Sequence, residues 1–66
     1  MKQIKEFMDK SGDPCVLVSS FHDADGKLYY MVDNLRALTD STMFEDKQFA
    51  LDYAQAKTNH INRKLS

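Results

Sequence analysis

Two apolar runs lie near the middle of the chain, and a short polar stretch divides them. The first is Cys15-Val16-Leu17-Val18-Ser19-Ser20-Phe21-His22, and the second is Lys27-Leu28-Tyr29-Tyr30-Met31-Val32-Asp33. β-Branched and aromatic side chains suit a half-buried pleated surface, so both runs predict strands. Between them stands Asp23-Ala24-Asp25-Gly26. An Asp-Gly turn flanked by such runs signals a hairpin, because Gly26 can take positive φ at no steric cost. With a four-residue loop, His22 pairs with Lys27 and Phe21 with Leu28. That register places Leu17, Phe21, Leu28, Tyr30 and Val32 on one face. Val16, Val18, Tyr29 and Met31 share the other. A shift of one residue exchanges the faces. In either register the ribbon is apolar on both sides. One helix shields one side, and the other needs a second helix, a second copy or a target.

The flanking segments follow a different period. Ile4, Phe7 and Met8 fall at i, i+3 and i+4, which predicts a short helix over about residues 2–10. Gly12 and Pro14 then stop it. After the hairpin, residues 34–41 read as a loop with Leu35 and Leu38 tucked beneath it. Thr42-Met43-Phe44 reads as a third short strand or as a direct lead into the last element. That element is a long helix over about Asp46 to Lys64. Its apolar stripe is Ala50, Tyr53, Ala54, the stem of Lys57, Ile61 and Leu65, with Phe49 and Leu51 at the margins. Acidic residues at its start and Arg63 and Lys64 at its end suit the helix dipole. The expected fold class is α+β, in a single domain spanning residues 1–66. It has a short N-terminal helix, an antiparallel β-hairpin with or without a third short strand, and a long C-terminal helix packed on the sheet.

A chain of 66 residues forms a core that supplies about 3–5 kcal/mol, so a partner is one route to added stability. Cys15 is the only cysteine, which excludes an intrachain disulfide and points to the reducing cytoplasm. One cysteine with His22 and His60 does not make a tetrahedral metal set, and no cofactor or metal is expected. No apolar run reaches membrane or secretory length. Nine basic and ten acidic side chains give a net charge of −1, which argues against non-specific nucleic-acid binding. Acidic residues concentrate between positions 22 and 46, and the C-terminus is basic.

Candidate chemistry thins out on inspection. Asp23-Ala24-Asp25-Gly26 has the opening of a calcium loop but lacks the third ligand, the distant glutamate and the helical flanks. Ser20, His22 and Asp23 have the residue types of a hydrolase triad without room for a cleft. Cys15 reads as a small buried hydrophobe. No enzyme is expected. Phe21, Tyr29, Tyr30 and Met31 fit a base-stacking platform in type, but the basic surround is missing. Tyr, Phe and Met are favoured at protein interfaces, so a protein contact is the better account. The alternative is nucleic-acid binding from the helix end Asn59-His60-Ile61-Asn62-Arg63-Lys64.

Asp23-x-Asp25-Gly26-Lys27-x-Tyr29-Tyr30, following a Val/Leu strand, resembles the central hairpin of the small phage inhibitors of uracil-DNA glycosylase. The match covers about a quarter of the chain. The resemblance implies a short, non-enzymatic, homodimeric protein whose acidic edge and hydrophobic pocket block an enzyme's DNA-binding surface. It carries over Asp23, Asp25, Tyr29 and Tyr30 as contacts. The expected N-terminal helix and the segment from Leu35 to Phe44 depart from that family. Phe44 with Ala50, Tyr53 and Ala54 is also similar to small ββα domains, including the arm-type DNA-binding domains of integrases, whose strands are basic where these are not. The expectation is a cytoplasmic protein-binding module, a phage or mobile-element inhibitor of a host enzyme, monomeric or homodimeric. Val16, Val18, Tyr29 and Met31 would form its apolar contact. Asp23, Asp25 and Asp33 would supply complementary charge.

Overall fold

The computed structural model describes residues 1–37 and 39–65. The Asp23 turn sets the phase of the sheet. The Asp23 N–H donates to the Lys27 carbonyl at 3.0 Å, and the Gly26 N–H donates to the Asp23 carbonyl at 3.0 Å. The Asp23 carboxylate accepts the N–H groups of Asp25 and Lys27, each at 2.9 Å. Gly26 sits at φ 82°. Lys27 therefore belongs to the turn, which holds five residues where the sequence suggested four. Strand β2 spans Pro14–His22 and strand β3 spans Leu28–Asn34. His22 pairs with Leu28 and Phe21 with Tyr29. The extra residue moves β3 by one and exchanges its faces. Val16 and Val18 now share a face with Tyr30 and Val32, while Leu17 and Phe21 share the other with Tyr29 and Met31.

The same turn occurs earlier in the chain. The Asp9 N–H donates to the Asp13 carbonyl at 2.8 Å, and the Gly12 N–H to the Asp9 carbonyl at 3.0 Å. The Asp9 carboxylate accepts from the Ser11 and Asp13 N–H groups at 2.8 and 3.0 Å. Gly12 sits at φ 85°. This turn joins β2 to strand β1, Lys2–Met8, where the spacing had predicted a helix. The reason for the correction is a bulge. Between Gln3 and Lys5 the register with β2 slips, leaving Ile4 as the extra residue. In a regular strand Ile4 and Phe7 would face opposite ways. The inserted residue puts both on the core side.

A third turn, after β3, opens with Asn34. Its N–H donates to the Asp40 carbonyl at 3.0 Å, and its side-chain oxygen accepts the Arg36 N–H at 2.9 Å. The turn leads into strand β4, Ser41–Phe44, so residues 42–44 are part of a strand. The sheet is an antiparallel meander in the order β1-β2-β3-β4. Leu35 is exposed at the start of this turn and not tucked beneath it. Leu38 lies outside the described residues.

Helix α1, Lys47–Lys64, crosses one face of the sheet. Asp46 caps it, accepting the Gln48 and Phe49 N–H groups at 2.8 and 3.1 Å. Ala50, Ala54 and Thr58 are its buried positions. Small side chains there let the helix lie close to Val16, Val18 and Val32. Thr58 satisfies its hydroxyl on the Ala54 carbonyl at 2.8 Å and faces the buried Cys15 sulfur at 4.0 Å. Leu51, Tyr53 and Ile61 pack beside this stripe. Phe49 and Leu65 are exposed. No helix among the described residues is long and apolar enough to cross a membrane.

Candidate protein-binding face

The strand register assigns every sheet residue to one of two faces. The helix-covered face carries Ile4, Phe7, Val16, Val18, Tyr30, Val32 and Phe44. Val16 and Val18 are 0% exposed and form the core. They cannot act as contact residues, and their assignment to the binding surface is corrected by the five-residue turn. Tyr30 is half-buried and packs toward the core.

The opposite face has no element of the described chain over it. Three rows cross it. Phe21 stands beside Tyr29 in the first. Gln3, Ser19, Met31 and Met43 make up the second. Glu6, Leu17, Asp33 and Ser41 make up the third. Phe21 and Tyr29 stack, with ring centroids 5.8 Å apart and planes 24° apart. Lys27 places its ammonium 5.6 Å from the Tyr29 ring centroid, and its ion pair with Glu45 raises its pKa above the usual lysine value. Leu17, Phe21, Tyr29 and Met31 are half-buried, and Met43 is 56% exposed. These five side chains form one apolar patch. Glu6 and Asp33 flank Leu17 at its acidic end, and Asp33 accepts the Ser41 hydroxyl.

Tyr29, Met31 and Asp33 thus come together on this face. Asp25 projects from the hairpin tip and is exposed. Asp23 spends its carboxylate on the turn. Leu17, Phe21 and Met43 were absent from the expected contact set. The first two were placed with the core by the four-residue loop, and the signal that would have found them is Lys27, whose amide the Asp23 carboxylate holds inside the turn.

Two ion pairs brace the scaffold away from the patch. The Asp9 side chain, 1% exposed, meets the Arg36 guanidinium from the third turn. Its carboxyl lies below the ordinary value because of the Asp13 amide first, with Ser11 and Arg36 adding to it. Lys57 donates to Asp40 at 2.9 Å, and Asn34 donates to the same carboxylate oxygen at 3.1 Å. This lowers the Asp40 pKa and raises that of Lys57. Among the described residues there is no pocket and no group of three His, Cys, Asp or Glu side chains placed to hold a metal ion. No protein-family model, curated protein or solved structure matches the chain.

Proposed function

We propose that this chain is a small non-enzymatic protein-binding module that acts by covering a surface of its partner. The observation that supports it is the uncovered sheet face carrying Leu17, Phe21, Tyr29, Met31 and Met43 in contiguous rows. Apolar clusters rimmed by polar groups mark interaction sites. Paired methionines adapt to an incoming surface. The surrounding charge is acidic at the Leu17 end, which suits a protein with a basic rim and repels phosphate. A phage or mobile-element inhibitor of a host DNA-processing enzyme is the specific form that the hairpin resemblance implies, with Asp25 and Asp33 steering the encounter.

The test is a double substitution, Tyr29→Ser with Met31→Ser. Both side chains lie outside the core, so the variant should keep the wild-type circular dichroism spectrum. Affinity capture from bacterial lysate should recover a partner with the wild type and lose it with the variant. A steep fall of binding with salt would instead favour nucleic acid held by Arg63 and Lys64. Unchanged capture by the folded variant rejects this face.

A further inference from the structure

The chain has four methionines, at positions 1, 8, 31 and 43. None belongs to the helix-covered core, whose buried side chains are Phe, Cys, Val and Ala. Two of the four stand side by side. Met31 of β3 pairs with Met43 of β4, and Ser19 of β2 flanks Met31 on its other side. This is the middle row of the uncovered face, between the row of Phe21 and Tyr29 and the row of Leu17. Met43 is more than half exposed and Met31 is half-buried. Met1 and Met8 bracket β1, with β2 between them and the pair. The remaining sulfur, that of Cys15, is fully buried in the core. Oxidation of sulfur follows its exposure to the oxidant. The fold thus seals its thiol and leaves the thioethers of the uncovered face open.

We propose that Met31 and Met43 form a reversible oxidation site, through which hydrogen peroxide turns the middle of the uncovered face from apolar to polar while the fold stays intact. The thioether sulfur attacks one peroxide oxygen. The S–O bond forms as the O–O bond breaks, and the sulfur gives up two electrons. The second oxygen leaves as hydroxide, takes the proton from the first and becomes water. The return step needs a dithiol. A methionine sulfoxide reductase removes the oxygen as water while two thiols become a disulfide. A sulfoxide puts a polar group where a flexible apolar one stood. On a solvated face it keeps its water, so the folded chain carries no cost of burying it. A surface that docks there must strip that water away. The pair lies between the two flanking rows, so its oxidation divides the patch into Leu17 on one side and Phe21 with Tyr29 on the other. Loss of docking on oxidation rests on the reading that this face is the binding surface; the oxidation site itself does not.

The experiment exposes the folded chain to hydrogen peroxide and follows each sulfur by peptide mass mapping. Met43 should gain one oxygen before Met31, and Cys15 should gain none while the chain is folded. The far-ultraviolet circular dichroism spectrum and the urea midpoint should stay near those of the untreated chain. Retention on a hydrophobic-interaction column should shorten. A pair of methionine sulfoxide reductases, one for each sulfoxide epimer, should restore it. Met31→Leu/Met43→Leu keeps the face apolar without the sulfurs. Peroxide should shorten its retention far less, since only Met1 and Met8 remain to react. Met31→Gln/Met43→Gln should match the oxidised wild type without peroxide. The proposal is overturned if Met31 and Met43 react only after urea unfolds the chain, if the oxidised chain loses its fold, or if the leucine variant loses as much retention as the wild type. Capture from bacterial lysate separates this site from the proposed function. A several-fold loss for the oxidised wild type, and none for the oxidised leucine variant, supports both. Equal capture before and after oxidation, with the retention shift intact, supports the oxidation site and rejects the face as the docking surface.

Discussion

Val18→Ala tests which face of the sheet is the core. Val18 is 0% exposed and stands opposite Val32. Truncation removes two buried carbons, worth about 1.6 kcal/mol of transfer free energy at about 0.8 kcal/mol each. Ala50 and Ala54, the buried helix positions above the sheet, are too short to fill the gap. A residual cavity of roughly 40 Å³ at about 24 cal/mol per Å³ adds about 1 kcal/mol. The expected loss is ~2–3 kcal/mol, more than half of the ~3–5 kcal/mol that a core of this size supplies. At about 4–8 °C per kcal/mol, the midpoint of thermal unfolding should fall by roughly 10–20 °C. Met43→Ala, on the other face, should change stability by no more than about 0.5 kcal/mol. Urea unfolding followed by far-ultraviolet circular dichroism measures both, with equal m-values required for the comparison. If Val18→Ala unfolds with the wild type while Met43→Ala is crippled, the register from the five-residue turn is wrong.

Two further outcomes follow from the turns. Asp9→Asn should lower stability at neutral pH and flatten its acid dependence. The folded Asp9 pKa lies below the ordinary 3.8. Its contribution is therefore complete above the unfolded value and is lost as pH falls through the folded one. Denaturant midpoints measured from neutral pH down to about pH 2 should show the wild-type and variant curves converging in acid, and parallel curves would refute the role given to this carboxylate. Gly26→Ala should cost about 1–2 kcal/mol. An added Cβ meets nothing within 4 Å and φ is 82°, so the whole penalty is backbone strain, and a neutral result in thermal unfolding would show that the turn relaxes to another conformation.

Legibility along the chain tracks how many geometries share one residue pattern. The hairpin and the long helix were readable because their signals are local. Asp-Gly closes a turn by itself, and the spacing from Ala50 to Ile61 fits nothing but a helix with one covered side. β1 is ambiguous in the sequence because a separation of three between apolar residues suits a helix or a bulged strand equally. The stronger clue was the Asp-x-x-Gly shared by Asp9–Gly12 and Asp23–Gly26, two copies of one turn, which places a strand on each side of both. The uncovered face was half legible. Tyr29 and Met31 do lie on it, whereas Val16 and Val18 changed sides with a single loop residue. The burial of Thr58 is not legible in the sequence, because a hydroxyl suits solvent unless it is satisfied locally, as it is here on the Ala54 carbonyl.

The helix that roofs the valines is made after all four strands. Any form of the chain in which the meander is paired but α1 is undocked leaves Val16, Val18 and Val32 bare. Both sides of the sheet then present apolar side chains, the kind of surface on which partly folded chains associate. Docking of this one last segment is the closing step that hides the valines.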